Sequence, residues 1–113
     1  MTPIELTGRL ICVSAEEAEI VERHLPRHVQ LTRAESGCLR FDVERMEDPL
    51  VWTVAERFVD PAAFDLHQAR VRSSEWGAAT AGITRDYVIT QSEHQLPAAR
   101  RPDPPRPDQP SGI

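Results

Sequence analysis

The sequence predicts an α+β domain of the ferredoxin-like type, in which a four-stranded antiparallel sheet carries helices on one face. Three observations favour this fold class: strand-like segments of alternating polarity, capped segments of helical periodicity between them, and the resulting order β-α-β-β-α-β. The ferredoxin-like sandwich is the commonest compact arrangement of that order. At 113 residues, the chain has room for one such domain.

The first part of the chain is predicted to form a strand and a long helix. Residues 4–13 (IELTGRLICV) place apolar side chains on one face of a strand and polar ones on the other. Ser14 can cap the helix that follows, and Glu17 completes a capping box. Pro26 lies within the helical pattern and predicts a kink or a restart, because proline removes a backbone donor. The predicted apolar positions of the helix are Ala18, Val21, Leu25 and Val29.

Two strand-like segments follow and are predicted to form a hairpin. Residues 38–46 alternate apolar with charged side chains, and residues 50–59 are rich in β-branched and aromatic residues. The Glu-Asp-Pro sequence between them is typical of a turn. Arg40 and Glu56 fall on neighbouring strands, so we expect them to pair across the hairpin or across a dimer interface rather than to act in catalysis.

The remaining elements are predicted to be two helices and a last strand. Asp60 caps a helix that begins at Pro61, and a short helix carrying Trp76 then ends at Gly82. Residues 83–91 supply the last strand. The helices cover only one face of the sheet, and a small chain most simply buries the other face against a second copy of itself. The sequence therefore predicts a homodimer.

Charge and cysteine content exclude several classes of protein. The net charge is −5 and the basic residues are scattered, which argues against a nucleic-acid partner. The first residues contain no basic segment and no long apolar run, so we expect no signal peptide, no membrane span and a cytoplasmic location. Cys12 and Cys38 are expected to be buried thiols. In the expected strand order 4-1-3-2 their strands are not neighbours, which argues against a disulfide.

A change in composition divides the chain into an ordered domain, residues 1–93, and a flexible tail, residues 94–113. From Leu96 onward the chain holds six of its ten prolines and almost no large apolar residue. Such a segment cannot bury enough surface to offset the entropy of ordering. We assign the tail no catalytic role.

Two motifs within the domain resemble the antibiotic biosynthesis monooxygenase family of small dimeric α+β barrels. The segment TRAESGCLRFDV (32–43) is similar to the Glu-x-Gly-Cys entry to a strand in that family. The segment ERFVDPAAFDLH (56–67) is similar to its Glu-Arg-aromatic, Asp, Ala-Phe and His pattern. The resemblance extends from about Gly8 to Ile89, which is most of the predicted domain.

The resemblance implies one of three kinds of protein: a cofactor-independent oxygenase of quinols or aromatic polyketides, a haem-degrading enzyme, or a member without established activity. In an ungapped placement, Gly8, His67 and Ala79 fall at the three positions where haem-degrading relatives carry Asn, Trp and His, respectively. Haem degradation by the usual arrangement is therefore disfavoured. An oxygenase without flavin, metal or haem needs a phenol or quinol substrate that donates electrons to O2 after deprotonation. The protein then supplies a base and a dry cavity.

His67 is the candidate base, because imidazole exchanges a proton near neutral pH. It lies three residues after Phe64 and four before Val71, on the apolar face of its helix. The same position suits a packed core histidine, so both interpretations stay open. A closed cavity with His67 facing into it would favour the base, whereas a His67 that meets only side chains or a carbonyl would remove the base from the oxygenase hypothesis. The expected substrate-binding residues are Phe41, Trp52, Phe64, Trp76 and Tyr87.

A second function class stays open beside the oxygenase. The chain can instead be a non-catalytic dimeric module that binds a small apolar ligand or supports another enzyme of a biosynthetic or stress pathway. His24 and His28 are spaced i, i+4 as in some metal sites, but the sequence offers no third ligand. We therefore expect both histidines on a solvated surface.

Overall fold

The fold follows the predicted order of elements. The computed structural model describes residues 2–91, and the predicted tail lies outside that range. The short third helix predicted around Trp76 is present between the second helix and the last strand. The elements are β1 (Ile4–Ile11), α1 (Ala15–Arg33), β2 (Cys38–Arg45), β3 (Val51–Phe58), α2 (Pro61–Arg72), α3 (Glu75–Ala79) and β4 (Thr84–Gln91). The predicted α+β ferredoxin-like class is confirmed.

The four strands form one antiparallel sheet in the order β2-β3-β1-β4, as predicted. In the central row of the sheet, Leu6 of β1 lies opposite Glu56 of β3 and opposite Ile89 of β4. Side chains alternate between the two faces of a strand, and apart from Gly8 of β1, which is half-buried, every second residue along β1 and β3 faces the helices and is buried. These buried positions include Ile4, Leu6, Leu10, Trp52, Val54, Glu56 and Phe58.

The helices begin at the residues that the sequence indicated. The Ser14 side chain accepts a hydrogen bond from the Glu17 backbone N–H at 3.2 Å, and the Glu17 carboxylate accepts one from the Val13 N–H at 2.9 Å. At α2, the Asp60 side chain accepts from the Ala63 N–H at 2.9 Å. Each contact satisfies a backbone donor that the first turn of a helix leaves unpaired. Local sequence is therefore sufficient to place both helix starts.

Two predicted helix features differ in the structure. Helix α1 continues through Pro26 without restarting, because its buried positions on both sides of the proline pack on the same sheet and sustain the helix. Helix α3 ends at Ala79 instead of Gly82. The Thr80 backbone N–H and hydroxyl both donate to the Trp76 carbonyl, at 2.9 and 2.7 Å, and this closes the helix earlier.

The register of the hairpin corrects one predicted pair. Arg40 lies opposite Arg57 and points away from the helices, where its guanidinium donates to Asp42 at 2.7 Å. Glu56 lies opposite Phe41 and points inward. The expected pair between Arg40 and Glu56 within the hairpin is therefore wrong, since the two side chains occupy opposite faces of the sheet.

Both cysteines are free thiols, as predicted, because β1 and β2 are separated by β3. Cys12 is buried, whereas Cys38 is only partly buried, contrary to the expectation for that residue. Burial raises the pKa of both thiols, with the negative charges of Glu17 at Cys12 and Glu35 at Cys38 adding to the effect. None of the helices within residues 2–91 is both long and apolar enough to cross a membrane.

Candidate active site

His67 lies at the centre of the interface between α2 and the sheet. Its side chain has no exposed surface. The ring is packed against Phe58 of β3, with centroids 4.8 Å apart, and lies 6.0 Å from the ring of Phe41 on β2. Helix α2 also buries Phe64 and Val71, one turn before and one turn after. The helical spacing of these three residues therefore sets His67 inside the core, as the sequence indicated.

One ring nitrogen of His67 is held by a carboxylate. Nδ1 lies 3.0 Å from Oε1 of Glu35, a residue between α1 and β2 that the sequence analysis did not select. Arg70 binds the same carboxylate through its Nε and donates to the Thr32 hydroxyl at 2.8 Å. Because a carboxylate only accepts, this contact assigns the proton of the neutral ring to Nδ1. The other nitrogen, Nε2, then carries the lone pair of a base.

A second carboxyl group lies on the Nε2 side of the ring. Oε1 of Glu56 is 3.9 Å from Nε2, longer than a hydrogen bond, and the Glu56 side chain has no exposed surface. Within residues 2–91, neither carboxyl oxygen of Glu56 nor Nε2 of His67 has a hydrogen-bond partner. Buried polar atoms are normally paired, so this arrangement marks a candidate functional site. We call Glu35, His67 and Glu56 the relay; the side chains of His67 and Glu56 are fully buried, and that of Glu35 is 19% exposed.

Burial sets the protonation of the relay. Desolvation raises the pKa of Glu56 well above its ordinary value, and the negative charge of Glu35 adds to this while Arg85 opposes it. Desolvation lowers the pKa of His67, and Glu35 opposes that shift. Both shifts favour the neutral forms. Both shifts therefore disfavour an ion pair between His67 and Glu56.

These shifts predict how stability depends on pH. Glu56 ionises near its ordinary pKa of 4.5 when the chain is unfolded, but stays protonated to higher pH in the fold. The folded state then holds one more proton, so the free energy of unfolding falls as pH rises, by at most ~1.4 kcal/mol per pH unit. Above pH 6.5, the ordinary pKa of histidine, His67 is neutral in both the folded and the unfolded chain. It therefore no longer offsets the loss of stability that Glu56 causes. Urea unfolding between about pH 6.5 and 8, below the range where thiols ionise, measures the slope.

The control for this prediction is Glu56→Gln, which keeps the shape of the neutral acid and cannot ionise. Its stability is expected to fall less steeply with pH than that of the wild type over the same range. Equal slopes for the two proteins would show that Glu56 ionises in the folded state. Glu19→Gln, which removes an exposed carboxylate of α1 away from the outer face of the sheet, is expected to retain the wild-type slope.

The predicted substrate-binding residues occupy different parts of the core. Phe41 packs near His67, and Phe64 packs on Phe58 with centroids 5.6 Å apart. Trp52 lies four residues before Glu56 on β3, about 13 Å along the strand, where Arg45 covers its ring at 4.6 Å. Tyr87 is half-buried on β4, opposite Gly8 of β1.

Trp76 is connected to the site through His28, a residue that the sequence predicts on the surface. His28 of α1 is 1% exposed, and its ring stacks on Trp76 at 4.6 Å with the planes 4° apart. The ring of His28 also lies 6.1 Å from that of His67. The surface prediction for His28 is wrong, because the buried face of α1 continues from Val21 through this position to Thr32. Its spacing of seven residues from Val21 could have shown this.

Two clefts open to the surface beside this region. The first, which we call the α1–α3 cleft, has a volume of about 260 Å³ and is lined by Trp76 and His28 together with His24, Arg27 and Arg70. The second is shallower, measures about 520 Å³, and is bordered by Glu35, Leu66 and Arg70. His67 lines neither cleft. Arg70 borders both and binds Glu35 of the relay, so it connects each cleft with the buried site.

Comparison with known families gives the class of protein. The family model for antibiotic biosynthesis monooxygenases matches residues 8–79, more than half of the chain. The chain belongs to the antibiotic biosynthesis monooxygenase family. The match includes both motifs, all three relay residues and the stacked pair of His28 and Trp76. No curated protein gives a significant match to the sequence.

Solved structures of this family's fold are similar over nearly their whole length. PA3566 from Pseudomonas aeruginosa is 26% identical, with a TM-score of 0.62, over 85% of this chain and 97% of that chain. SnoaB from Streptomyces nogalater, described as a cofactor-independent oxygenase, is 16% identical, with a TM-score of 0.68, over 86% and 99%. Rv0793 from Mycobacterium tuberculosis is 23% identical, with a TM-score of 0.60, over 85% and 98%. At such low identity, SnoaB and Rv0793 support the fold alone.

Proposed function

We propose that this family member is a cofactor-independent monooxygenase that oxidises a quinol or an aromatic polyketide-like substrate with O2, using His67 as the base. The observation that carries the proposal is the buried imidazole whose Nδ1 is fixed by Glu35 at 3.0 Å while Nε2 faces the interior. A base oriented by a carboxylate is a recurring arrangement in enzymes. The membership of the chain in a family of monooxygenases supports the reaction type, and SnoaB, which shares the fold, is itself described as a cofactor-independent oxygenase.

The α1–α3 cleft is the route that we propose for the substrate. Its floor is the stacked pair of Trp76 and His28, and aromatic rings favour a flat, electron-rich ligand. Arg27 and Arg70 line the same cleft and suit the negative charge of a deprotonated phenol. However, Glu75 also lines this cleft, and Arg70 is already paired with Glu35. Because the His67 side chain has no exposed surface, the substrate reaches Nε2 only if the covering side chains move.

The chemistry follows from the electron-rich form of the substrate. In the overall reaction, an activated methylene carbon between two aromatic rings loses both hydrogens and becomes a carbonyl carbon at the expense of one molecule of O2. Nε2 of His67 accepts a proton from the substrate, and the carbanion or phenolate formed donates electrons to O2. One oxygen atom remains as the carbonyl and the other leaves with the two hydrogens as water. The protein contributes a positioned base and a site shielded from bulk water.

Oxygen uptake by the pure protein tests the proposal. The protein is incubated with a panel of quinols and anthrones, uptake is followed with an oxygen electrode, and the carbonyl product is counted. Uptake with at least one substrate is the expected result, with one carbonyl formed per O2 where that substrate is an anthrone. An absence of uptake across the panel would argue against the oxygenase. Aerobic incubation with haem is the companion control, and haem breakdown would overturn the exclusion based on Gly8, His67 and Ala79.

One observation favours the alternative function, a non-catalytic module that binds a small ligand or supports another enzyme. His67 is enclosed by side chains and lines neither cleft. A packed histidine of this kind can serve stability alone. Saturable binding of a quinol, detected by quenching of tryptophan fluorescence, without any oxygen uptake would support this alternative over the oxygenase.

We propose that the protein works as a homodimer in the cytoplasm. Within residues 2–91, no element covers the sheet face opposite the helices, and Val88 on that face is 60% exposed. A second copy would cover this surface. Sedimentation equilibrium of the pure protein at micromolar concentration is expected to give twice the chain mass of 12.7 kDa. A mass of one chain at all concentrations would contradict the dimer.

A further inference from the structure

We propose that Glu56 is the general acid of the reaction, and that it protonates the oxygen that leaves as water and then regains a proton from His67. The inference rests on the proposed oxygenase activity. The sequence predicts only a structural ion pair for Glu56, whereas the structure places its carboxyl group 3.9 Å from Nε2 of the proposed base, His67. The two groups face the same part of the interior, between α2 and the sheet.

The surroundings of Glu56 favour a carboxyl group that keeps its proton. Its neighbours in the sheet register are Leu6 and Phe41, and neither offers a hydrogen bond from its side chain. The titratable and charged groups that act on it are His67 of α2, Glu35 before β2 and Arg85 of β4. The negative charge of Glu35 disfavours a second carboxylate nearby.

Arg85 is the charged group that would favour ionisation of Glu56, and it has other acceptors. One of its terminal nitrogens donates to the Thr80 carbonyl at 2.7 Å and to the Ile83 carbonyl at 3.0 Å, and the other donates to the Thr80 hydroxyl at 2.8 Å. These contacts hold the guanidinium at the end of α3. A protonated Glu56 and a His67 with a free lone pair at Nε2 are the starting forms that an acid and a base require.

The protons balance over one turnover. Nε2 of His67 takes the first proton from the substrate methylene, the carbanion adds O2, and the imidazolium protonates the peroxide to give an organic hydroperoxide on the same carbon. Nε2 then takes the remaining C–H proton, whose electron pair forms the carbonyl as the O–O bond breaks. Glu56 protonates the departing oxygen, so that water leaves. Finally the imidazolium returns its proton to the Glu56 carboxylate, and both groups regain their starting forms.

This cycle gives a reason for burying both groups. No proton has to enter from bulk solvent, because the two protons removed from the substrate carbon leave in the water that is formed. Exclusion of water also protects the carbanion and the peroxide from side reactions. An exposed acid would exchange its proton with solvent, so direct return of a proton from Nε2 of His67 would give it no advantage.

The experiment compares wild type with Glu56→Gln, and Glu19→Gln serves as the control that removes an exposed carboxylate of α1. An anthrone is the probe, and oxygen uptake, carbonyl product and organic hydroperoxide are measured. Glu56→Gln is expected to take up oxygen, because the base is intact, but to release hydroperoxide and form the carbonyl ~10²-fold more slowly. Glu19→Gln is expected to match the wild type in all three.

A second measurement needs no turnover. The infrared spectrum of the wild type near neutral pH is expected to contain the carbonyl band of a protonated carboxylic acid, which Glu56→Gln lacks. An unchanged ratio of carbonyl to oxygen in Glu56→Gln would overturn the acid role and leave the oxygenase standing. A wild type without oxygen uptake would overturn both. Should Glu56→Gln not fold, the absence of the infrared band from the wild type would overturn the inference.

Discussion

Replacement of His67 by alanine is expected to lower the turnover number for oxygen uptake by ~10²- to 10⁴-fold, the usual contribution of a general base. The change removes the nitrogen that would accept the substrate proton. It leaves intact the α1–α3 cleft, which His67 does not line, so the KM is expected to change little. The measurement is steady-state oxygen uptake with the best substrate of the panel.

Two controls separate lost chemistry from lost stability. Val71→Ala truncates a fully buried residue one turn further along the same face of α2, and it is expected to retain turnover at a temperature where it is folded. His67→Ala leaves a space beside Glu35 that free imidazole can fill, since engineered cavities bind small ring compounds. Partial recovery of turnover with added imidazole is expected. Equal turnover of wild type and His67→Ala would remove His67 from the mechanism.

Truncation of Trp76 to alanine is expected to lower the free energy of unfolding by ~3–5 kcal/mol, as for other large buried aromatic residues. Trp76 is 2% exposed, and α3 has only five residues, so packing and not helix propensity holds this segment in place. The change also removes the stacking partner of His28. Guanidinium unfolding followed by circular dichroism measures the effect.

The matched variants for this prediction are Trp76→Phe and Trp52→Ala. Trp76→Phe keeps an aromatic ring over His28 and is expected to lose less stability than Trp76→Ala. Trp52→Ala empties an equally buried position near the start of β3 and is expected to lower the free energy of unfolding by a similar amount. Because Trp52 does not stack on His28, the NMR signals of the His28 ring are expected to stay in place. A loss below ~1 kcal/mol in Trp76→Ala would show that this end of the core is loosely packed.

Elements defined by local chemistry could be predicted from the sequence. The caps at Ser14 and Asp60 and the alternation of the strands depend on residues close together in the chain, so the pattern is readable without tertiary contacts. Strand order followed from the small number of compact solutions for β-α-β-β-α-β. The position of His67 on the buried face of α2 followed from helical spacing alone.

The relay around His67 could be predicted only in part. Glu56 follows Trp52 and Val54 in the inward row of β3, so strict alternation places a carboxylate in the core, although its charge suggested a surface pair. Glu35 lies between secondary-structure elements, and its approach to His67 depends on how α1, β2 and α2 meet in space. No periodicity in the sequence reports that distance.

The central position of β1 has a consequence for how this chain assembles. The strand is first in the sequence, yet its partners come late, since Ile4 pairs with Phe58 and with Gln91. Closing contacts over such long stretches of chain is slow, and folding on a scale of milliseconds to seconds is typical of sheets built from distant strands. Until β3 and β4 are available, both hydrogen-bonding edges of β1 stay open to other nascent chains. Dilution and low temperature during refolding would therefore favour the native sheet over aggregates.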